Sequence, residues 1–334
     1  MAAADPGADP FGEQLRSAGR VRARVLGGEF RFESSSRALL RLVTAAYAGL
    51  PAHRLWAAMP SFNLRLVLAS DREAYGRAGP PPLKTFAGGG LLCGTLDAAN
   101  FAVLSPRERS GVVVISRGLC AYPYHARYEL IEFAVFTLAS RARQLMALHA
   151  ACVGRAGRGV LLMGDSGAGK STLALQCLLD GWEFVSEDST FVAPRRGLAT
   201  GVANFLHLQA HTLRFVADRA ERARLRAAPT IRRRSGVSKL EIDVRTMRYR
   251  IANKPLRVCG TVVLSEAAAG ARPLLRRLGG AAAAARLAAC QPYAAGQPGW
   301  ALALAELVRR GVWELRRGRH PAEAAAALRS LVAA

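Results

Sequence analysis

Apolar residues recur along the chain with two different periods. Up to about residue 125 the period is mostly two. "VRARVLGGEFRFES" carries two alternating runs around Gly27-Gly28, which predicts a β-hairpin. "FNLRLVLAS", "LLCGTL", "FAVLS" and "GVVVIS" predict further strands, and "AGPPPLKTFAGGG" reads as loop. Within this stretch, "SSRALLRLVTAAYAGLP" has helical spacing, a serine start and a Gly-Leu-Pro stop. Residues 1–20 show neither period and read as a loose leader. An α+β domain over 21–125 follows.

From residue 126 helical and strand patterns alternate. "RYELIEFAVFTLASRARQLMA" is the strongest helical pattern of the chain. "LHAACVGRAGRGVLLMGDSGAGKSTLALQCLLDGWEFVSED" then reads as strand, turn, strand, glycine-rich loop, helix, strand. Residues 201–265 mix irregular chain with the strands "SKLEIDV" and "RVCGTVVLS". Beyond Ala267, "AAAAARLAAC", "GWALALAELVRRGVWELRRG" and "PAEAAAALRSLVAA" predict helices, with Pro321 suited to a first helical position. Residues 126–334 are therefore expected to form an α/β domain.

Composition bounds this picture. A prior of roughly 150 residues per domain gives about two domains for the 334 residues, and 51% hydrophobic with 21% charged residues is ordinary for a globular chain. The net charge of +23 is not ordinary, and all but four of the 47 basic residues are arginines. A basic surface attracts nucleic acid, anionic membranes or acidic substrates. Here the arginines are spread over the whole length and no basic stretch is interleaved with aromatic residues, so a nucleic-acid partner is not expected. The densest cluster is Arg232, Arg233 and Arg234. The six cysteines stand alone, with no CxxC pair, which argues against a zinc site. The leader holds Asp5, Asp9 and Glu13 and no apolar core, so it does not read as a secretory signal. "LIEFAVFTLA" is too short to span a bilayer and contains Glu132. A cytoplasmic location without a membrane span is expected, and the sequence is compatible with a homo-oligomer.

The chemistry is concentrated in "GDSGAGKST". Gly164, Gly169, Lys170 and Ser171 complete the pattern G-x-x-x-x-G-K-[ST]. Glycines let backbone amides turn inward onto phosphate oxygens, and the helix that follows adds its positive N-terminal end. The nine residues Gly164, Asp165, Ser166, Gly167, Ala168, Gly169, Lys170, Ser171 and Thr172 are the candidate binding site for the phosphates of ATP. Lys170 has the reach for the β- and γ-phosphates, and Ser171 has the hydroxyl for Mg²⁺. Glu187 and Asp188 end the next strand. Two parallel strands of such a unit end at the same edge, so this pair is expected beside the γ-phosphate. One carboxylate would hold Mg²⁺ together with Ser171, and the other would accept a proton from an attacking hydroxyl; a solvated turn is the plainer alternative. No LSGGQ-like stretch or NKxD motif supports a transporter ATPase or a small GTPase.

The stretch from Leu148 to Asp188 resembles the catalytic core of the HPr kinase/phosphorylase family and its HPr-kinase-related relatives. His149 matches the family histidine, Gly164–Ser171 the loop and Glu187–Asp188 the acidic pair. "KLEIDV" and "CGTVVLSE" echo two later strands of the family. The resemblance implies a P-loop kinase core related to phosphoenolpyruvate carboxykinase and transfer of phosphate from ATP, with Mg²⁺, to a serine hydroxyl. His149, Lys170, Glu187 and Asp188 are then the catalytic candidates, and Ser171, Glu187 and Asp188 the metal candidates. Three departures stand out: Thr172 replaces the usual Glu, the acidic pair is Glu-Asp rather than Asp-Asp, and Asp243 stands where Arg-Gly follows "LEI". Because the resemblance places the missing Arg-Gly stretch in the region of protein-substrate handling, the acceptor is expected to be an acidic or serine-containing protein or peptide, or a small alcohol metabolite, rather than HPr.

Other residues keep two readings. His149 is either a structural histidine or a donor beside the transferring group. Lys239, Glu241 and Asp243 share one strand face, either lining the acceptor site or forming the wet side of an edge strand. Arg232–Arg234 form either a solvated loop or a segment that closes over an anion. His207 and His211 lack a third ligand, so no metal site is expected there. Two other functions stay open: a nucleotide-dependent switch without phosphotransfer, and an ATPase stimulated by nucleic acid.

Overall fold

The computed structural model describes residues 19–70, 75–76 and 79–333. The leader expected over 1–20 lies outside the described residues, except for its last two, which begin the first strand. The protein is a mixed α/β chain whose sheets combine parallel and antiparallel strands. It divides into two compact units. One comprises the residues up to Ala23, Glu29–Ala48 and Ser61–Leu138; the other comprises Arg24–Gly28, Gly49–Pro60 and Ala139–Ala334.

The first unit is built on a seven-stranded sheet. Its strands are β1 (Gly19–Val25), β2 (Gly28–Ser34), β3 (Ser61–Ala69), β4 (Lys84–Gly88), β5 (Leu91–Asp97), β6 (Asn100–Ser105) and β7 (Ser110–Ser116), in the order β1-β2-β3-β7-β6-β5-β4. The β1–β2 hairpin forms as the alternation predicts. It turns through Leu26 and Gly27, both at positive φ (49° and 73°), the geometry that matches hairpin twist. The loop expected over 78–90 is corrected: Lys84–Gly88 pairs antiparallel with β5 through Gly89-Gly90. Helix α1 (Arg37–Tyr47) starts at Ser36, whose hydroxyl accepts from the Leu39 amide. The sheet buries Phe30, Phe32 and Phe62, with the Phe30 and Phe62 rings stacked 4.4 Å apart. Short helices α2 (Arg117–Cys120) and α3 (Pro123–His125) lead through a π-helical turn, Ala126–Glu132, into α4 (Phe133–Arg143).

The helix predicted over 127–147 ends early. Gln144 takes a left-handed conformation (φ 52°), and the Leu145 amide donates back to the Ser140 carbonyl at 2.9 Å, a left-handed helix stop. The chain emerges as strand β8 (Met146–His149), followed by β9 (Ala151–Arg155), β10 (Arg158–Met163), helix α5 (Lys170–Leu179), β11 (Glu183–Ser186), β12 (Ser189–Ala193) and β13 (Leu198–Gly201). A small sheet holds β14 (Phe205–Leu208), β15 (Thr230–Arg232) and β16 (Ser238–Asp243), with α6 (Arg219–Arg226) in the connection. Then come β17 (Arg250–Ile251), β18 (Leu256–Ala268), β19 (Leu275–Arg277), α7 (Gly280–Cys290), α8 (Pro292–Ala295), α9 (Trp300–Arg310), β20 (Val312–Arg317) and α10 (Pro321–Val332).

The large sheet of this unit runs β17-β11-β9-β10-β18-β13-β12-β8, with β20 beside β18 and β19 beside β20. Its central strands are covered on both faces, which is why "GVLLM" and "TVVL" read as continuous apolar runs. Along β10, Val160 and Leu162 pack into the core beneath α5 and α10, while Leu161 and Met163 pack into the core beneath α7 and α9. "VWELRR", expected to continue a helix, is the strand β20, parallel to β18. Gly311 (φ 105°) stops α9 there. Pro321 opens α10 as expected.

Candidate functional site

Strand β10 delivers the chain to the loop at a sheet edge. Gly164, Gly167 and Gly169 all have positive φ, at 143°, 91° and 101°. A side chain is costly in that conformation. At Gly164 a Cβ would in addition lie 3.3 Å from the Leu264 carbonyl oxygen. Asp165, Ser166 and Gly167 are exposed, Ala168 and Gly169 partly so. Helix α5 begins at Lys170, so its unpaired amides face the loop. The Lys170 side chain is buried and folds over the loop, donating to the carbonyls of Gly164 (2.7 Å) and Asp165 (3.2 Å). Burial lowers its pKa, and the charges of Asp188 and Glu187 offset only part of that.

The acidic pair reaches the loop through topology. Both β10 and β11 pair antiparallel with β9, on its opposite edges, so they run parallel and end together. Glu187 and Asp188 form the two-residue link from β11 to β12. The sheet curls there, bringing β13 against the end of β11. Gly201 permits the approach, since a Cβ would lie 2.6 Å from Ser186 Cβ. Strand β12 pairs with β8, placing Ser189 opposite His149. His149 Nδ1 thereby sits 3.1 Å from Asp188 Oδ1. The His149 backbone is clasped by the buried Gln291 carboxamide, which donates to its carbonyl (2.9 Å) and accepts from its amide (2.8 Å).

Each carboxylate has its own partners. The Ser171 hydroxyl donates to Glu187 Oε1. Glu187 Oε2 accepts from the His207 amide (3.2 Å) and meets His207 Nδ1 at 2.7 Å. His207 Nε2 reaches Glu241 Oε1 at 3.2 Å, the two residues standing opposite each other across β14 and β16. Burial alone would lower the His207 pKa, but the charges and hydrogen bonds of Glu187 and Glu241 raise it to about 9. His207 is thus a cation between two carboxylates. Burial pushes Glu187 up and the charge of His207 more than reverses this, holding its pKa below the ordinary value. Asp188 also accepts from the Arg233 guanidinium at 3.0 Å. Burial raises its pKa, but His149 and Arg233 together hold it well below the carboxylate range.

The sequence-derived candidates therefore converge: Lys170, Ser171, Glu187, Asp188 and His149 all belong to one cluster. Thr172 points elsewhere, its hydroxyl 3.2 Å from that of Thr212. Of the polar face of β16, Glu241 joins the cluster through His207, whereas Asp243 turns to Arg245 at 2.7 Å. The edge-strand alternative is corrected, because β16 is the middle strand of its sheet. Of the arginine triplet only Arg233 turns inward; Arg232 and Arg234 are exposed. His207, Arg233 and Gln291 had no assigned place in the cluster from sequence. The alternation of "FLHL" opposite "LEID" was the signal for His207.

Among the described residues, no group of three or more His, Cys, Asp or Glu side chains forms a cage for a metal ion, and no helix is long and apolar enough to cross a membrane. The Ser171–Glu187 pair suits Mg²⁺, which keeps waters and takes few protein ligands. No protein-family model matches the sequence, and none of the curated proteins matches it.

Proposed function

We propose that the chain is an ATP-dependent phosphotransferase of the HPr-kinase-like type, with a P-loop core related to phosphoenolpyruvate carboxykinase, and that it passes the γ-phosphate to a hydroxyl group. The observation that carries this reading is the joining of Ser171 to Glu187 beside an Asp188–His149 pair, at the edge where the glycine loop opens. Ser171 and Glu187 would hold Mg²⁺, which when bound neutralises charge on the β- and γ-phosphates. Lys170 leaves the loop carbonyls for the phosphates. The His149 imidazole is 48% exposed and tethered to Asp188 through Nδ1, leaving its other nitrogen for the acceptor hydroxyl or the transferring phosphate. Arg233 on Asp188 brings a cation close to the transfer site. The acceptor that fits best is a serine of an acidic protein or peptide, given the net charge of +23.

A specific observation favours a second reading. Asp188 is held by His149 and Arg233, with its pKa well below the carboxylate range, and is a weak base in that state. A nucleotide-dependent switch that never transfers phosphate needs no base at all. Incubation with γ-labelled ATP and an extract of its own source separates the two. Under the kinase reading the parent labels an acceptor and Asp188→Asn does not. Tight MgATP binding by both proteins, with no label transferred by either, establishes the switch.

A further inference from the structure

A second space opens beside the loop, and none of the side chains given a role in the transfer above lines it. Its volume is about 400 Å³, within the range of small-molecule sites. Gly167, Gly169 and Thr172 form one wall, Phe215 and the Arg316–Pro321 connection into α10 the other. Neither Ser171 nor Glu187, Asp188 or His149 lines it. The loop therefore separates a carboxylate cluster from a pocket of different chemistry.

The pocket is aromatic and basic. Phe215 and His320 meet edge to face, with centroids 5.2 Å apart and planes at 88°. The Arg214 guanidinium lies 4.6 Å from the Phe215 centroid. Arg317 and Arg319 are exposed at the rim. Among the described residues, no carboxylate or carboxamide side chain lines this space.

We infer that this pocket receives the ribose and base of the nucleoside triphosphate whose phosphates the loop grips, and that it accepts adenine and guanine with similar affinity. The inference rests on reading Gly164–Thr172 as a phosphate loop. Stacking on an aromatic corner is available to any base, because every base has a π-face. Strong discrimination requires buried polar groups that pair with one base edge and are left unpaired by the other. A guanine-selective wall would present a carboxylate to two neighbouring N–H groups. The arginine and histidine donors here stand exposed or half-buried, where water satisfies them whichever base edge they face.

The test is calorimetric titration of the full chain with MgATP, MgGTP and magnesium tripolyphosphate. The expected result is ATP and GTP within about three-fold of each other, and both about ten-fold tighter than tripolyphosphate. Phe215→Leu keeps apolar bulk in the half-buried position but removes the flat ring. It is expected to weaken both nucleotides about ten-fold and leave tripolyphosphate unchanged; Arg317→Ser, at the exposed rim, serves as the variant that cannot disturb the core. A preference for one nucleotide above about a hundred-fold, parental tripolyphosphate binding as tight as ATP, or unaltered nucleotide binding by Phe215→Leu overturns the inference. The loop reading fails separately, if Lys170→Ala leaves tripolyphosphate affinity unchanged. Nucleotide binding that then still depends on Phe215 upholds the pocket without the loop, and absence of any nucleotide binding sinks both.

Discussion

At one end of the Gly164–Thr172 loop, His149, His207 and Arg233 hold Glu187, Asp188 and Glu241 at distances of 2.7–3.2 Å. At the other end, Arg317 and Arg319 stand in solvent around Phe215. At the carboxylate end Glu187 and His207 are buried, and their opposite charges are matched in advance. Such an arrangement costs desolvation when the chain folds, yet aims fixed dipoles and charges at a reacting group without later reorganisation. The pocket end is open, so its charges are screened by salt and its side chains are free to adapt. On the proposed function, geometry is held where bonds would change and left loose where a ligand would only be gripped.

Lys170 lies at the junction of the two ends, and changing it should have the largest effect. Lys170→Ala removes the cation that folds over the loop carbonyls. Phosphotransfer from labelled ATP is expected to fall about a thousand-fold. A loss of less than ten-fold would place the working cation elsewhere, with Arg233 the next to change.

His207 sharpens the comparison, because it acts at the buried end alone. His207→Leu leaves Glu187 and Glu241 facing each other without their shared cation, and should cost about 3 kcal/mol in urea denaturation at neutral pH. The pH dependence carries a sign. The folded value of about 9 lies above the ordinary 6.5, so the contribution is complete below pH 6.5 and is lost as pH rises through about 9. Glu187 and Asp188 have lowered values, so their contribution is present above the ordinary carboxylate range and is lost as pH falls. The stability gap between parent and His207→Leu should therefore be wide near pH 6 and should shrink above pH 9. A gap independent of pH would mean that His207 is neutral and that only its packing matters.

Gln291 tests whether the held geometry extends to the edge strand. Its carboxamide makes two hydrogen bonds to the backbone of His149. Gln291→Ala should cost about 2 kcal/mol, at about 1 kcal/mol per bond. It should also lower kcat of the transfer reaction with little change in the affinity for ATP, since the pocket end is untouched. A change in nucleotide affinity alone would show that His149 is not part of the transfer step.

Much of this arrangement was legible in the sequence where local chemistry decides. Gly164, Gly169, Lys170 and Ser171 announce the loop, and the flanking apolar runs announce β10 and α5. The face assignment on β16 held, with Leu240 and Ile242 buried and Lys239, Glu241 and Asp243 on the other side. What escaped was set by distant contacts or by unmarked backbone. Gln144 ends α4 in a left-handed conformation without the glycine that usually signals one. "VWELRR" reads as helix because it follows one, although Gly311 marks the break; pairing with β18 makes it a strand. His207 and Arg233 lie 20 and 45 residues from the carboxylates they meet. Their approach depends on the β14–β16 register and on the hairpin turn after β15, neither of which leaves a local pattern at Glu187 or Asp188.

The smallest effect is expected at the open end. Arg317→Ser removes an exposed rim charge that makes none of the described ion pairs, so stability should stay within about 0.5 kcal/mol of the parent. ATP affinity should fall about two- to three-fold at low ionic strength, because an exposed cation attracts a polyanion only through screened Coulomb forces. Near 1 M salt, where the Debye length is about 3 Å, the difference should vanish. The buried end gives the opposite forecast, since salt does not reach His207 or Glu187. A salt-independent loss of affinity in Arg317→Ser would mean that this arginine closes over the ligand and leaves solvent, and the contrast between a held end and a loose end would then fail at the pocket.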